Sequence, residues 1–186
     1  MLEFMKRVAV WNSKRYDQVF NKELFVDMLR EEHKEWRDAT EEVDKLDALC
    51  DEVFVAFGAA WKANLSIEEL DSAMIHASQM LHNLIECLEL YPAYFNSTYI
   101  DVFEDSSEYP LAQTIANVVT ACMTEMRGMG LSKEQCDKCL AIVATSNESK
   151  SITKLKPCEK GFTEGKGPYF IPPEPALQKV LNERFN

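Results

Sequence analysis

Leu29-Arg30-Glu31-Glu32-His33-Lys34-Glu35-Trp36, followed after a short break by Leu46-Asp47-Ala48-Leu49-Cys50-Asp51-Glu52-Val53-Phe54-Val55-Ala56-Phe57-Gly58, reads as two successive amphipathic helices. On a wheel turning about 100° per residue, Phe25, Leu29 and Trp36 gather on one side of the first helix, with Met28 and Ala39 beside them. Glu32 falls inside that apolar arc, Glu35 lies at its edge, and Glu31 and Asp38 turn toward solvent. A carboxylate in a core-facing stripe is costly unless it is paired or holds a cation. In the second helix Leu46, Cys50, Val53, Phe54, Phe57 and Trp61 form the core stripe, and Asp44, Asp47 and Asp51 run along its flank. Gly58 continues that flank and leaves room beside Asp51. Stacked aspartates repel one another, and a bound divalent cation turns the repulsion into attraction.

Glu32, Glu35, Asp47 and Asp51 are therefore the candidate metal ligands. An all-oxygen set selects hard cations, Mg²⁺ first and Mn²⁺ as a substitute. The competing account is that both stripes are solvated charge beside a core. A di-iron bundle needs Glu-x-x-His pairs, whereas His33, His76 and His82 follow Arg30, Ala73 and Gln79 at that spacing. The histidines are expected at the surface or packed in the core.

Outward from this pair, helical periodicity continues over Glu3 to Trp11, Lys22 to Thr40, Val43 to Lys62, Ile67 to Leu90, Ala112 to Arg127 and Lys133 to Thr145. No alternating strand pattern is evident. Ser66-Ile67-Glu68-Glu69 and Ser132-Lys133-Glu134-Gln135 match the capping box that opens a helix. Gly128 and Gly130 mark a stop and a turn. Tyr91 to Pro110 is aromatic and bounded by prolines; it reads as a packed loop or subunit interface, with stacking on a base as the competing reading. From Asn147 to Pro175 glycine and proline predict an extended tail, closed by a short helix from Pro175 to Arg184. The expectation is one all-α domain, a helical bundle over residues 1–186.

The chain of 186 residues suits a single core. Its formal charge of −11 argues against nucleic acid or an anionic membrane as partner. The longest apolar run, the nine residues Val53 to Trp61, is far short of the ~20 that span a bilayer. Lys6, Arg7, Lys14 and Arg15 interrupt the start, so no export signal is read there, and the cytoplasm is the expected location. The sequons at Asn96 and Asn147 are then not expected to carry glycans. The six cysteines are expected as free, helix-packed thiols, because the Cys136-x-x-Cys139 pair has no second pair to complete a zinc site.

The two helices together resemble the MazG-like all-α NTP pyrophosphohydrolases, which carry an EExxE helix followed by one reading roughly DALAD-hydrophobic-YV-x-x-G. The branch similar to phosphoribosyl-ATP pyrophosphohydrolase, common in phages, fits best. Ser146-Asn147-Glu148-Ser149-Lys150 resembles its SNxSK motif, and Lys166-Gly167-Pro168-Tyr169-Phe170-Ile171-Pro172-Pro173 resembles its K-x-P-x-Y-x-x-P ending. The likeness covers Lys22 to Trp61 and Gly128 to Pro175, leaving 62–127 as an insertion and 147–175 as a tail or lid. It departs at Ala48, where many relatives have the Glu of an ExxD motif; the acid here is Asp47, one residue earlier.

The resemblance implies Mg²⁺-dependent hydrolysis of a nucleoside or deoxynucleoside triphosphate to monophosphate and pyrophosphate, adjusting or cleansing the nucleotide pool. It also implies a homodimer or homotetramer and, for a phage protein, a place in the host cytoplasm. By the same resemblance Glu35 and Asp47 are the expected catalytic carboxylates, and Asn147, Lys150, Lys166 and Tyr169 the expected substrate-binding residues, within a tail that also holds Lys154, Lys156 and Lys160. No GxxxxGK[ST] loop is present, so P-loop chemistry is not expected. A catalytically inactive nucleotide-binding or regulatory module of the same fold is the alternative.

Overall fold

The computed structural model describes residues 1–88, 110–150, 157–158, 161–162 and 166–184. Among them the chain forms seven helices: α1 (Leu2–Ser13), α2 (Lys22–Asp38), α3 (Glu42–Lys62), α4 (Ile67–Leu88), α5 (Leu111–Gly128), α6 (Lys133–Ser149) and α7 (Glu174–Glu183). A two-residue antiparallel pair, β1 (Pro157–Cys158) with β2 (Gly161–Phe162), is the only extended pairing among the described residues. It is too short for alternation to reveal in sequence. The all-α class is as expected.

Helix α3 is the axis of the bundle, touching α1, α2, α5, α6 and α7. Every residue from Glu52 to Ala60 is buried, so this stretch is enclosed on all sides rather than along one stripe. A helix that is apolar all round belongs inside a bundle, and the run from Val53 to Ala60 supplies that surface. Phe4 packs edge-on against Phe54 and Phe57, and Trp11 against Phe54, which seats α1 along α3. Helix α4 packs on α5, with Ala73, Ala77 and Ala116 allowing a close approach.

Local chemistry sets the helix ends. The Asn21 side chain accepts the Leu24 N–H at 3.1 Å to open α2. At Ser66 and Ser132 both halves of the capping box form, each serine accepting from the third residue on and receiving that residue's side chain in return. Such caps contribute about 1 kcal/mol each. Positive φ at Gly130 (88°) takes the turn after α5, a conformation that glycine adopts without steric cost. Helix α6 runs to Ser149, past the expected end at Thr145, so Asn147 stands in its last turn and not in the tail. Cys50, Cys122, Cys136 and Cys139 are free and buried. The aromatic stretch Tyr91 to Tyr109 and the lysines Lys154, Lys156 and Lys160 lie outside the described residues.

Candidate functional site

Glu32 on α2 and Asp51 on α3 line one cleft, together with Asn147 and Lys150 at the end of α6. Helix α6 is held in place there by two residues of α1 and by the returning chain. Trp11 donates Nε1–H to the Asn147 carbonyl at 2.9 Å. Arg7 forks onto Glu148 at 2.8 and 2.9 Å and also donates to Thr145 and to the Ala141 carbonyl. Ser149 Oγ accepts the Ile171 N–H at 2.8 Å, tying the returning chain to the same helix end. A bidentate arginine fixes direction as well as distance, so Asn147 and Lys150 are presented at a set position over α3.

Asn147 is buried and donates Nδ2–H to Asp51 Oδ1 at 3.2 Å. Asp51 is the centre of the acidic group. Burial raises its pKa, opposed by the positive charges of Lys150 and Lys166 and by the Asn147 hydrogen bond. On one side stands Glu32, whose carboxyl burial pushes up to about 9, with the charges of Asp51, Glu35 and Glu52 adding to the effect. One helical turn before Asp51 is Asp47, pushed up to about 7 by burial first and then by Asp51 and Glu174. Asp47 Oδ1 is buried with no hydrogen-bond partner among the described residues. A buried acceptor left without a donor costs about 1–3 kcal/mol, and a cation or a bound hydroxyl relieves that cost.

The expected residues are thus partly gathered. Glu32 and Asp47 each feel the charge of Asp51, and Lys150 acts on all three. Lys166 adds its charge at Asp51 while lying 5.0 Å from the centre of the Phe170 ring. Glu35 is exposed, contributing its charge to Glu32 and Asp47 from the rim. Tyr169 is 87% exposed and is not among the residues lining the cleft. Among the described residues no three carboxylate, imidazole or thiol groups stand close enough together to ligate one ion. Mg²⁺ does not require that: it commonly takes one or two carboxylates and completes its octahedron with water and phosphate oxygens. The all-oxygen donors and the partnerless Asp47 Oδ1 fit such an ion.

Two acids escaped the sequence reading. Glu174 opens α7 directly after Pro173 and adds negative charge at Asp47 and Asp51. Its signal was available, since Pro-Pro-Glu is a helix start, but nothing in the spacing says that this start faces α3. Glu52 is wholly buried, with Cys122 Sγ donating to its Oε2 at 3.3 Å and His33 Nδ1 lying 3.4 Å from its Oε1. The His33 ring also stacks on Trp36, 5.3 Å between centres. This link pins α2 to α3 one residue beyond Glu32 and one beyond Asp51, and so sets the register of the acidic pair.

The cleft continues away from the acids along α1, α2 and α3. Its further lining is Trp11, Asn12, Tyr16, Leu24, Phe25, Met28, Phe54, Val55, Gly58 and Lys62, around a cavity of about 160 Å³. No helix among the described residues is long and apolar enough to cross a membrane. Comparison of the chain with protein-family models, with curated proteins and with solved structures returns no match in any of the three.

Proposed function

We propose that this protein is a MazG-like nucleoside triphosphate pyrophosphohydrolase: with Mg²⁺ it hydrolyses an NTP or dNTP to the monophosphate and pyrophosphate. The observation that carries this reading is the meeting of acids and cations in one place: Lys150 acts on Glu32, Asp47 and Asp51, Lys166 acts on Asp51, and Asn147 donates to Asp51. Acids alone suit a cation and lysines alone suit a phosphate; a metal-bound triphosphate needs both. The three motifs that resemble the family supply these same residues.

Asp51 and Asp47 are the principal metal ligands in this scheme, with Glu32 joining once it loses its proton. Bound there, Mg²⁺ supplies charge neutralisation of the phosphate oxygens and a water of lowered pKa. Lys150 and Lys166 hold the triphosphate oxygens, and Asn147 keeps Asp51 oriented. Glu35, at the solvent rim, receives a proton from the attacking water. The water oxygen bonds to the α-phosphorus, the α–β anhydride P–O bond breaks, and its electron pair leaves on pyrophosphate. The inactive nucleotide-binding module remains a second reading, favoured by Ala48 at the place of the family's Glu. Incubation with a panel of NTPs and dNTPs plus Mg²⁺ separates the two. Pyrophosphate release supports hydrolysis, whereas thermal stabilisation by nucleotide without turnover supports the binding module.

The shifted acids give a pH signature. Folded Glu32 and Asp47 hold protons that the unfolded chain releases near the ordinary carboxylate range, around 4, so the native state binds more protons and loses stability as pH rises. That contribution is complete below the ordinary range and fades as pH passes about 7 for Asp47 and about 9 for Glu32. In thermal melts without metal, the Tm is expected to fall from about pH 5 to about pH 9, and Glu32→Gln to flatten the upper part of that fall. Mg²⁺ binds the deprotonated acids, so the stabilisation that it adds grows over the same interval. A wild-type Tm that rises with pH in the absence of metal contradicts the assignment.

A further inference from the structure

The part of the cleft beyond the acids has its own chemistry. Asn12 is only 4% exposed, and its Nδ2 donates to the Val8 carbonyl at 2.9 Å. A carbonyl can only accept, so this bond settles which way the amide faces and leaves Oδ1 as the acceptor. Oδ1 has no protein donor among the described residues, and Asn12 lines the cleft. Gly58 faces it: a Cβ at that position would stand 3.4 Å from Asn12 Nδ2 and fill the space beside the amide.

Lys62 lies in the same lining, its Nζ 4.5 Å from the centre of the Tyr16 ring and 5.6 Å from that of Phe25. No carboxylate pairs with it among the described residues, and partial burial lowers its pKa. Phe25, Met28, Phe54 and Val55 supply flat apolar surface between the two polar groups. Gly58 and Lys62 follow Asp51 by seven and eleven residues on α3, which at ~1.5 Å rise per residue puts them roughly 10 and 16 Å along the axis. That is the scale of a nucleotide laid lengthwise, with phosphates at Asp51 and Lys150.

Resting on the pyrophosphohydrolase reading for the position of the phosphates, we infer that this end is a base subsite selective for bases bearing both an N–H donor and a ring carbonyl. Asn12 Oδ1 accepts from the base N–H or amino group, and Lys62 donates to the carbonyl oxygen. Cytosine, uracil and guanine offer both groups. Adenine has no carbonyl, so it leaves the Lys62 ammonium facing a ring edge that cannot satisfy it. A charge-assisted hydrogen bond of this kind contributes roughly 10–100-fold in affinity.

Titration calorimetry with CMP, UMP, GMP and AMP tests the subsite without requiring turnover. The best of the three carbonyl-bearing nucleotides is expected to bind wild-type protein at least ~10-fold more tightly than AMP. Lys62→Met, at a partly exposed position at the end of α3, is expected to bring that ratio close to unity. Asn12→Leu is expected to weaken all four, with a melting curve confirming that the variant is folded. AMP binding as tightly as the others, an unchanged ratio in Lys62→Met, or no binding of any monophosphate overturns the inference. Selective binding together with no hydrolysis of any triphosphate leaves the subsite standing and removes the pyrophosphohydrolase reading instead.

Discussion

Asp51→Asn is expected to lower Mg²⁺-dependent pyrophosphate release by roughly 10²–10³-fold, the loss that follows removal of one preorganised electrostatic group from an active site. Asp51 adds its charge at both Glu32 and Asp47, accepts from Asn147 and lies under the charge of both Lys150 and Lys166. Asparagine keeps the volume and can still accept from Asn147, so the fold should survive while the charge that holds the cation is gone. Removing that charge also relieves Glu32 and Asp47, both pushed up partly by Asp51. The metal-free variant should therefore melt no lower than wild type while turning over far more slowly. Steady-state rates and melts on the same preparation check both halves. A variant retaining more than about a tenth of wild-type activity counts against Asp51 as a ligand.

Glu52→Ala is expected to produce the largest loss of stability among substitutions near the site, about 3–5 kcal/mol. The change leaves the His33 imidazole and the Cys122 thiol without the carboxylate that both now approach, and it opens a cavity at the centre of α3. Folded domains have only about 5–15 kcal/mol in hand, so much of the population unfolds near physiological temperature. Glu52→Gln keeps the shape and one acceptor oxygen, and should cost much less. Urea unfolding of the two variants measures the difference. Equal, small losses for both would mean that the buried carboxylate does not join α2 to α3.

The helices were legible because their apolar periods are long, and because caps such as Ser66 and Ser132 close them with local bonds only. The anomaly of Glu32 was legible too: a carboxylate inside an apolar arc is found buried enough to hold its proton to about 9. Periodicity fails where a helix is enclosed on every side. In α3 the wheel separates one core stripe from the remaining surface, whereas from Glu52 to Ala60 the packing buries every residue, and Glu52 disappears into the interior. Its partner Cys122 is seventy residues away, and no local pattern carries that distance. Glu174 was missed for the same reason, since its approach to Asp47 depends on how α7 docks.

The wheel put Glu35 at the edge of the arc, and a small rotation decides between cleft and solvent; it is exposed. Asn147 lay in a segment whose downstream glycines and prolines suggested loop, yet four further residues of helix and the Trp11 contact bury it. Asn12 gave no signal, because its meaning comes from an amide fixed by Val8 and a glycine facing it from another helix.

In the proposed reaction the grouped acids and lysines cleave a triphosphate between its α- and β-phosphorus. Phosphorus NMR of wild-type protein mixed with NTPs and dNTPs in excess Mg²⁺ tests it most directly, because the products identify the bond broken. A monophosphate resonance and a pyrophosphate resonance are expected to grow in equal amounts, and neither without Mg²⁺. Diphosphate with inorganic phosphate, or a triphosphate spectrum that stays unchanged for every nucleotide, contradicts it.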